Sequence, residues 1–397
     1  MKNNDRSGFL LTKGEPELEK LVRETLDDAL KTVKRNTKRF NGNNNYPVQV
    51  YKNGVYDETD GARDCWTQGF WPGQLWLAYE MTGDEYYREI AEKYVGHMFD
   101  RAYNNYMLDF HHDIGFLYTP SCVSAYKLTG NETALRAAKI AAWSLSRRFR
   151  PKGEFIQSIG NEFDENSYKF IADTMLNLPL LFWATEETGE PMYAERALKH
   201  LNTTMKYMVR EDGSSFHHFR MDRATGEPVK GFTWQGYSDD SCWTRGHSWI
   251  VYGLAIAYGY TKDPEIYKNF CRVTDFFLNN MPLDPEDLVP YWDFHFREGD
   301  VERDASAGII VCCGIMEMAQ FVSPEDEKLK GYIEKAKKML KNIIERCHVR
   351  SERGEEGILE HITDALPQGV GEVCEPYGDY FFIEALIRAI TPWKSYW

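Results

Sequence analysis

The sequence predicts an all-α protein, a single-domain (α/α)6 barrel built from six helical hairpins. The first observation is a repeated turn, Thr82-Gly83-Asp84, Thr129-Gly130-Asn131 and Thr188-Gly189-Glu190, with degenerate copies at 258–263 and 320–325. The glycine closes one helix in a left-handed cap and the next residues open another, so each copy joins two helices. The second observation is that the helix before each turn is apolar nearly all round, whereas the helix after it carries a charged face. Five such joints predict ten helices.

The order of these helices predicts a closed ring. A helix at about 16–40 has no partner before it and the last helix has none after it, so pairing the two completes twelve helices. Outer helices with a charged face follow the joints, such as those at 84–103 and 325–347. The joints are unequally spaced, which argues against an open solenoid of equal repeats and places the extra residues in loops. The inner helices are predicted at 69–82, 114–129, 169–188, 243–260, 305–321 and 378–390.

Composition narrows the class of partner. The chain of 397 residues is predicted to form one domain over 1–397, in which residues 1–15 could form a flexible N-terminal arm. A net charge of −14 argues against nucleic acid and anionic membranes as partners. Aromatic residues make up 14% of the chain, more than a core needs, and such rings also stack on small ligands. The expected partner is therefore small, and the oligomeric state, monomer or dimer, stays open.

The cysteines and the N-terminus indicate the compartment. The eight cysteines form no C-x-x-C pair, and the first residues lack the apolar core of a signal peptide. No apolar run approaches the ~20 residues of a membrane span. We therefore expect a soluble cytoplasmic protein with free thiols.

The segments that precede the inner helices should converge on one end of the barrel, because every inner helix is entered from that end. They are rich in tryptophan, glycine and polar residues, and functional groups collect on loops held by a rigid scaffold. The N-termini of the inner helices also favour an anion. This predicts an aromatic-walled pocket with carboxylates and an anion site. The segments are 64–69, 110–115, 155–161, 233–247, 291–294 and 371–379.

Asp173 is the residue that stands out in the predicted inner helices, since it is the one ionisable group between 170 and 182. An unpaired buried carboxylate costs several kcal/mol, so Asp173 must have a partner, be protonated or be used chemically. The alternative is an aspartate near a helix N-terminus, hydrogen-bonded to backbone N–H groups.

Several motifs, taken with Asp173, resemble glycoside hydrolase family 88, the unsaturated glucuronyl hydrolases. The resemblance runs from Thr67-Gln-Gly-Phe-Trp71 to Gly378-Asp-Tyr-Phe381 and therefore covers most of the chain. The family fold is an (α/α)6 barrel, which agrees with the repeat. The motifs are His111-His112-Asp113-Ile114-Gly115, Leu176-Asn-Leu-Pro-Leu180, Ser215-Phe216-His217, Gln235, Arg245 and Trp249.

The resemblance implies a glycosidase that removes the 4,5-unsaturated uronic acid left by polysaccharide lyases at a non-reducing end, on fragments of the glycosaminoglycan type. It acts by hydrating the C4=C5 enol ether, which needs one acid/base group where ordinary glycosidases need two carboxylates. Two alternatives remain at this point. One is the related unsaturated rhamnogalacturonyl hydrolase, which takes pectin fragments, and the other is a non-catalytic barrel that binds oligosaccharides.

The catalytic residues implied by the resemblance are two aspartates. Asp173 matches the acid/base, whose apolar setting should raise its pKa while a helix N-terminus should lower it. Asp113 matches the second aspartate, which holds ring hydroxyls and interacts with the first carboxyl. Its alternative is an ordinary N-cap for the helix that begins near Ile114.

The resemblance also implies the substrate-binding residues Trp66, His112, His217, Gln235, Arg245 and Trp249. The guanidinium of Arg245 has the shape to bind a substrate carboxylate through two bonds, although it could instead pair with Asp239 or Asp240. For His217 the alternative is a satisfied polar side chain. For Trp66 and Trp249 it is core packing, but both are expected at the mouth, where they would stack on sugars.

No cofactor and no metal site are predicted. The adjacent histidines His111 and His112 should point apart, and the chain has no zinc-type spacing and no phosphate-binding glycine loop.

Departures from the family pattern bear on the sugar subsites. Ile159, Trp234 and His247 stand where tryptophan, histidine and glutamine are frequent, so the wall beyond the cleaved sugar is expected to differ. Family members that act on sulfated fragments carry Ser-x-x-Ser-x-Lys near the C-terminus, where this chain has Thr363-Asp-Ala-Leu-Pro-Gln368. Because Leu366 and Pro367 offer neither charge nor donors, unsulfated disaccharides are expected to be preferred over 6-sulfated ones by at least about tenfold.

Overall fold

A ring of apolar helices surrounded by a second ring of amphipathic ones forms the body of the molecule. The computed structural model describes residues 8–50, 53–60, 65–104, 111–161 and 164–397. The outer ring consists of α1 (Pro16–Asn36), α3 (Glu85–Asn104), α6 (Glu132–Arg147), α8 (Met192–Thr203), α10 (Pro264–Asn279) and α12 (Glu327–Cys347). The inner ring consists of α2 (Phe70–Thr82), α4 (Ile114–Tyr118) continued by α5 (Ser124–Thr129), α7 (Pro179–Thr188), α9 (Thr244–Thr261), α11 (Ala305–Met318) and α13 (Pro376–Ile390).

Each inner helix contacts the next, and α13 contacts α2, so the ring closes. The predicted (α/α)6 barrel is therefore confirmed, including the pairing of the first helix with the last through contacts of α1 with α13. The inner helices have no polar face because they are covered on all sides, and every residue of α11 is buried.

The predicted joints are left-handed helix caps at the first four positions. Gly83, Gly130 and Gly189 have φ values of 66°, 70° and 76°, and Lys262 takes the same conformation at the fourth joint with φ of 57°. A β-carbon makes this conformation costly for most residues, which is why glycine recurs. The fifth joint differs, since Ala319, which follows the last residue of α11, has a right-handed conformation.

The third inner helix begins later than predicted. Residues Lys169–Ile171 form a strand, β5, and Ala172–Leu176 form a 3-10 helix before α7 starts at Pro179. Proline is favoured at the first helical position, where its missing N–H is not needed. The first residues of the apolar run therefore form a strand that pairs with another strand, and they are not part of the helix.

Short antiparallel strands fill the loops. β5 joins β6 (His218–Met221) and β7 (Pro228–Phe232) in a three-stranded sheet. The other sheets are hairpins of two strands: β1 (Asn45–Val50) with β2 (Tyr56–Asp60), β3 (Phe149–Arg150) with β4 (Phe155–Ile156), and β8 (Ile362–Ala365) with β9 (Val370–Val373). Each hairpin lies in a loop between an outer helix and the next inner one, whereas the three-stranded sheet joins β5, from the loop before α7, to β6 and β7, from the loop before α9.

The N-terminal segment is attached to the barrel where it is described. The arm expected over 1–15 lies partly outside the described residues. Leu11 is buried, and Thr12 donates its backbone N–H to the carbonyl of Ala389 at 3.1 Å. In the part of the chain that the structure describes, no helix is both long and apolar enough to cross a membrane.

Candidate active site

A cavity of about 330 Å³ opens at the end of the barrel where the inner helices begin. Four of the six predicted loop segments reach it. Three of them, 64–69, 110–115 and 233–247, contribute residues that directly precede or open an inner helix, and 155–161 contributes Ile159, which lies before β5. Positions 64 and 110 of two segments lie outside the described residues. The cavity is lined by Trp66, His112, Asp113, Ile159, Lys169, Ile171, Asp173, His217, His218, Phe232, Trp234, Gln235, Trp243 and Arg245.

Asp173 lies in the 3-10 helix that follows β5, with its carboxyl facing the cavity. Its Oδ2 has no hydrogen-bond partner among the described residues, and 16% of the side chain is exposed. The pKa of Asp173 is raised to about 7, chiefly by burial and secondly by the negative charge of Asp113, while the cation of Arg245 opposes both. Burial therefore outweighs the lowering expected from a helix N-terminus, and close to neutral pH this carboxyl exists in both protonation states.

Asp113 occupies the N-cap position of α4, but its side chain makes no capping hydrogen bond. Its two carboxyl oxygens instead face the histidines before it: Oδ1 lies 3.5 Å from Nε2 of His112, and Oδ2 lies 3.7 Å from Nδ1 of His111. The side chain is thus directed to the cavity beside Asp173, as the resemblance implies, and the N-cap alternative does not describe its contacts.

His217 is held in one tautomer by the backbone. The N–H groups of Trp234 and Gln235 both donate to Nδ1 of His217, each at 3.2 Å. Because Nδ1 accepts, the proton of the neutral ring is on Nε2, which faces Oδ2 of Asp173 at 4.0 Å. Burial holds the pKa of His217 well below its usual range, so the ring is a neutral donor. An oxygen atom of a ligand or of water can therefore accept from Nε2 beside the Asp173 carboxyl.

His112 is also buried and neutral. Its Nδ1 lies 2.7 Å from the hydroxyl of Thr174, in the same 3-10 helix as Asp173. Burial lowers the pKa of His112 well below its usual value. This hydrogen bond ties the loop that carries Asp113 to the turn that carries Asp173.

Arg245, in the first turn of α9, is anchored from below the cavity. Its Nη1 donates to Oδ2 of Asp304 at 2.5 Å and to the carbonyl of Thr363 at 2.6 Å, and its Nη2 donates to the carbonyl of Asp364 at 2.7 Å. The partners suggested by the sequence, Asp239 and Asp240, are wrong, because the guanidinium instead contacts Thr363 and Asp364 of β8 and Asp304 at the N-terminus of α11. A guanidinium has five N–H donors, so up to two remain for a ligand.

Gln235 and Trp66 stand on the cavity wall as predicted. The amide of Gln235 donates to the carbonyl of Asp364 at 2.9 Å, which fixes the side chain between two loops. Trp66 is half-buried and stacks on Tyr377 with 5.0 Å between ring centroids. Its packing leaves part of the indole open to the cavity, so packing and ligand contact are compatible there.

Trp249 lies in the core and not at the mouth. It is fully buried, between Phe116 at 5.1 Å and Phe381 at 5.4 Å. Its position on α9 is one turn beyond Arg245, which takes it below the cavity floor. The expectation that Trp249 stacks on a sugar is therefore corrected, and its alternative, core packing, describes what the structure shows.

Trp249→Phe is accordingly expected to lower the free energy of unfolding by about 2 kcal/mol more than Trp66→Phe, because only the first change leaves a closed void. Trp66→Phe should have the larger effect on KM. Urea denaturation and steady-state kinetics on both variants check this, and a greater loss of stability in Trp66→Phe would contradict the placement.

Of the three residues that depart from the family pattern, two line the cavity and one does not. Ile159 and Trp234 line the cavity and are 48% and 62% exposed, so both are placed where they can contact a ligand. His247 does not line the cavity: its ring lies between the hydroxyl of Ser215 at 3.0 Å and the carbonyl of Val273 at 2.8 Å. It points from α9 towards α10, and its expected place in a sugar subsite is corrected.

Several cavity residues were not predicted. Lys169 and Ile171 are alternate residues of β5, hidden in a run that was predicted to be helical. His218 directly follows His217, and a strand there would have placed it on the sheet that faces the cavity. Phe232 and Trp243 also line the cavity. Among the described residues, no group of three or more His, Cys, Asp and Glu side chains could hold a metal ion.

The sequence of this chain is similar to those of known glycosidases. A sequence model of Glycosyl Hydrolase Family 88 matches residues 32–281. The chain is 40% identical to "Unsaturated chondroitin disaccharide hydrolase" of Streptococcus pneumoniae over 98% of this chain and 95% of that protein. It is 36% identical to "Unsaturated glucuronyl hydrolase" of Bacillus sp. strain GL1 over 94% of this chain and 98% of that protein.

Solved structures agree with the sequence comparison. The crystal structure of an unsaturated glucuronyl hydrolase from Streptococcus agalactiae superposes with a TM-score of 0.90 at 39% identity, covering 96% of this chain and 94% of that one. A mutant of the same enzyme, solved in complex with dGlcA-GalNAc6S, superposes with a TM-score of 0.83 at 37% identity, covering 98% of this chain and 95% of that one. Identity at this level along nearly the whole barrel exceeds a likeness of fold alone, and the chain is a member of Glycosyl Hydrolase Family 88 and a glycosidase.

Proposed function

We propose that this glycosidase removes the 4,5-unsaturated uronic acid from the non-reducing end of lyase-generated oligosaccharides of the glycosaminoglycan type, and that it does so by hydrating the C4=C5 enol ether. The observation that carries the proposal is Asp173, a carboxyl with a pKa of about 7 in a cavity that also presents Arg245 and a neutral His217. An acid that is half-protonated near neutral pH suits proton donation to carbon. The names of the relatives, chondroitin disaccharide and glucuronyl hydrolases, support the same substrate class.

The proposed reaction moves one proton out of Asp173 and one back. Protonated Asp173 donates its proton to C4, and the positive charge that develops at C5 is shared with the ring oxygen. Water then adds to C5, and its proton returns to the Asp173 carboxylate. The product is a hemiketal, which opens to a C5 ketone and leaves a hydroxyl on C1. That hemiacetal carbon expels the next sugar as an alcohol and becomes an aldehyde.

One acid/base group is sufficient for this route. Ordinary glycosidases need two carboxyl groups that flank the glycosidic bond, because one protonates the leaving oxygen while the other assists attack at C1. In the proposed route the glycosidic oxygen needs no enzymatic acid in the first step. Asp113 is therefore free for another role, and we assign to it the ring hydroxyls of the unsaturated sugar. Its negative charge also helps to keep the pKa of Asp173 high.

The remaining groups are proposed to orient the substrate. Arg245 directs its free N–H donors to the uronate carboxylate, and a charge-assisted bond of this kind is roughly twice as strong as a neutral one. His217 donates from Nε2 to the water or to a sugar oxygen beside Asp173. Trp66 covers one face of the sugar ring, and Gln235 and His112 hold the loops that carry these groups.

The raised pKa of Asp173 predicts the pH dependence. The active form of free Asp173 is the protonated carboxyl, so its fraction falls as pH rises through about 7. We expect kcat/KM to be level below this pH on that limb and to fall about tenfold per pH unit above it. A profile that stays flat from pH 6 to pH 9 would contradict the assignment of Asp173 as the acid.

Loss of ultraviolet absorbance tests the proposed function directly, because the conjugated enol-ether acid absorbs and its hydrated product does not. We expect absorbance to fall with unsaturated disaccharides derived from chondroitin or hyaluronan. Turnover restricted to rhamnogalacturonan-derived disaccharides would favour the pectin-directed alternative, and binding without turnover of any of them would favour the non-catalytic one.

We also propose a cytoplasmic location. All eight cysteines are free, and all but Cys65 are buried. Reduced thiols in these numbers are typical of a reducing compartment. Short oligosaccharides, already cut by lyases, are the substrates expected there.

A further inference from the structure

Three cations stand in register across the sheet that forms one wall of the cavity. Lys169 of β5 is the cross-strand partner of Arg220 in β6, and Arg220 is the partner of Lys230 in β7. We call these three residues the basic ladder. Directly opposed residues of antiparallel strands place their side chains on the same face of a sheet.

That face is the one turned to the cavity. Residues two apart on a strand share a face, so Ile171, His218 and Phe232 lie on the same side as the basic ladder. All three line the cavity, and so does Lys169. From Lys169 the ladder continues through half-buried Arg220 to exposed Lys230, so the exposure of the cations increases away from the cavity lining.

All three cations of the basic ladder lie near the ring of Phe232. The charged ends of Lys169, Arg220 and Lys230 lie 5.6, 5.7 and 6.0 Å from its centroid. Cations at this distance gain only about 0.5–1 kcal/mol from a ring at an exposed site, whereas like charges directly opposite one another in a sheet are destabilising. The arrangement is therefore not explained by stability of the fold.

Acidic groups neutralise the ladder only at its outer end. Among the described residues, Lys230 pairs with exposed Asp239 at 3.6 Å, and no acidic side chain lies within salt-bridge distance of Lys169 or Arg220. Asp164 is close enough for its charge to act on Lys169, but it makes its own hydrogen bonds with Ser167. The Nε of Arg220 is buried without an acceptor. In a chain of net charge −14, this wall has cationic donors to offer a ligand.

We propose that the basic ladder binds an anionic group, a sulfate ester or a carboxylate, on the saccharide that leaves. This rests on the proposed function. Asp173 follows β5 directly and marks the place of the unsaturated sugar, so the ladder lies along the wall that the following sugars meet on the way out. Desolvating an anion there is offset by charge-assisted hydrogen bonds from Lys169 and Arg220.

Binding of a sulfate by the basic ladder would reduce the preference for unsulfated substrates that is expected from 363–368. That expectation was based on 363–368, a segment that contacts the cavity wall at Trp234, where Gln368 donates to the backbone carbonyl at 2.8 Å. The missing lysine of that segment does not leave the cavity without a cation, because Lys169 supplies one from the sheet. The basic ladder could not be predicted from the sequence, because its three cations come from separate strands and become neighbours only when those strands pair.

The test compares wild type with the double variant Lys169→Gln/Arg220→Gln, and with Lys268→Gln as a control on outer helix α10, where the side chain is exposed. For each protein kcat/KM is measured on an unsulfated unsaturated disaccharide, on its sulfated counterpart and on an unsulfated tetrasaccharide, which adds a carboxylate two sugars away. We expect the double variant to lower the ratio of sulfated to unsulfated disaccharide, or that of tetrasaccharide to disaccharide, by about tenfold, mostly through KM. The control should leave both ratios at the wild-type values.

The outcomes separate the two sources of the anion. A fall confined to the sulfated disaccharide identifies a sulfate site, and a fall confined to the tetrasaccharide identifies a carboxylate site. Equal ratios in wild type and in the folded double variant overturn the proposal. If wild type turns over none of the substrates, the proposed function fails, and calorimetric affinities for the same saccharides still decide the ladder: equal affinities in wild type and double variant overturn it.

Discussion

Asp173→Asn is expected to lower kcat by about 10³-fold or more, because the amide has the shape of the carboxyl but cannot donate a proton to C4. Binding of the substrate should persist, since Arg245, His217 and Trp66 are unchanged. Stopped assays give kcat, and calorimetry on the variant gives the affinity. Asp222→Asn, an exposed aspartate beyond the same sheet, serves as the matched control and should keep wild-type kinetics. Turnover of Asp173→Asn within tenfold of wild type would remove Asp173 from the acid/base role.

The same variant has a second signature in stability. The folded-state pKa of Asp173 is raised from 3.8 to about 7, so folding favours the protonated carboxyl. Its contribution to stability is complete below the unfolded pKa and is lost as pH rises to about 7. Asp173→Asn has no such loss, and its free energy of unfolding should exceed that of wild type by roughly 4 kcal/mol at pH 8 and by much less at pH 4. A difference that does not depend on pH would show that the carboxyl is not destabilised by burial.

Arg245→Lys is expected to lower kcat/KM by about 100-fold and the free energy of unfolding by about 2 kcal/mol. Lysine keeps a charge beside Asp304, so this buried carboxylate is not left alone and the protein should fold. It cannot also reach the carbonyls of Thr363 and Asp364 and still present paired donors to a substrate. Steady-state kinetics and urea denaturation measure the two effects.

Arg303→Lys is the matched control for Arg245→Lys. Arg303 also spans a carboxylate and a carbonyl, Asp287 at 2.9 Å and Val289 at 2.7 Å, but it does not line the cavity. It should lose stability with kcat/KM within twofold of wild type. If Arg245→Lys shows the same pattern as this control, Arg245 supports the fold and does not bind the uronate.

The barrel could be predicted from sequence because its signals are local. A glycine in a left-handed cap, an apolar helix before it and a charged helix after it each follow from a few neighbouring residues, as at Gly83, Gly130 and Gly189. The joint at Lys262 was also predicted, although this residue is not glycine, because an apolar helix precedes it and a more polar helix follows. The position of the cavity follows as well, since all inner helices enter from one end.

What the sequence could not predict depends on contacts between distant segments. Asp304, which precedes α11, and the carbonyl of Thr363, in β8, both contact Arg245. No local sequence pattern indicates that these distant segments lie side by side. Trp249 was placed at the mouth because the resemblance implies a sugar-stacking role for it, yet its place one helical turn beyond Arg245 puts it in the core. The direction of the pKa shift of Asp173 also depended on the local fold. Asp173 lies in a 3-10 helix after β5 and not in the first turn of a regular α-helix, and burial is the main cause of its raised pKa.

The most direct test of the account uses a substrate analogue in which a methylene group replaces the glycosidic oxygen of the unsaturated disaccharide. Such a carbon–carbon link cannot be hydrolysed, whereas the C4=C5 double bond is untouched. Because hydration is proposed to precede departure of the next sugar, wild type should abolish the ultraviolet absorbance of the analogue, and Asp173→Asn should not. An analogue that binds but keeps its absorbance, while the natural disaccharide is consumed, would show that the glycosidic bond is attacked first and would contradict the account.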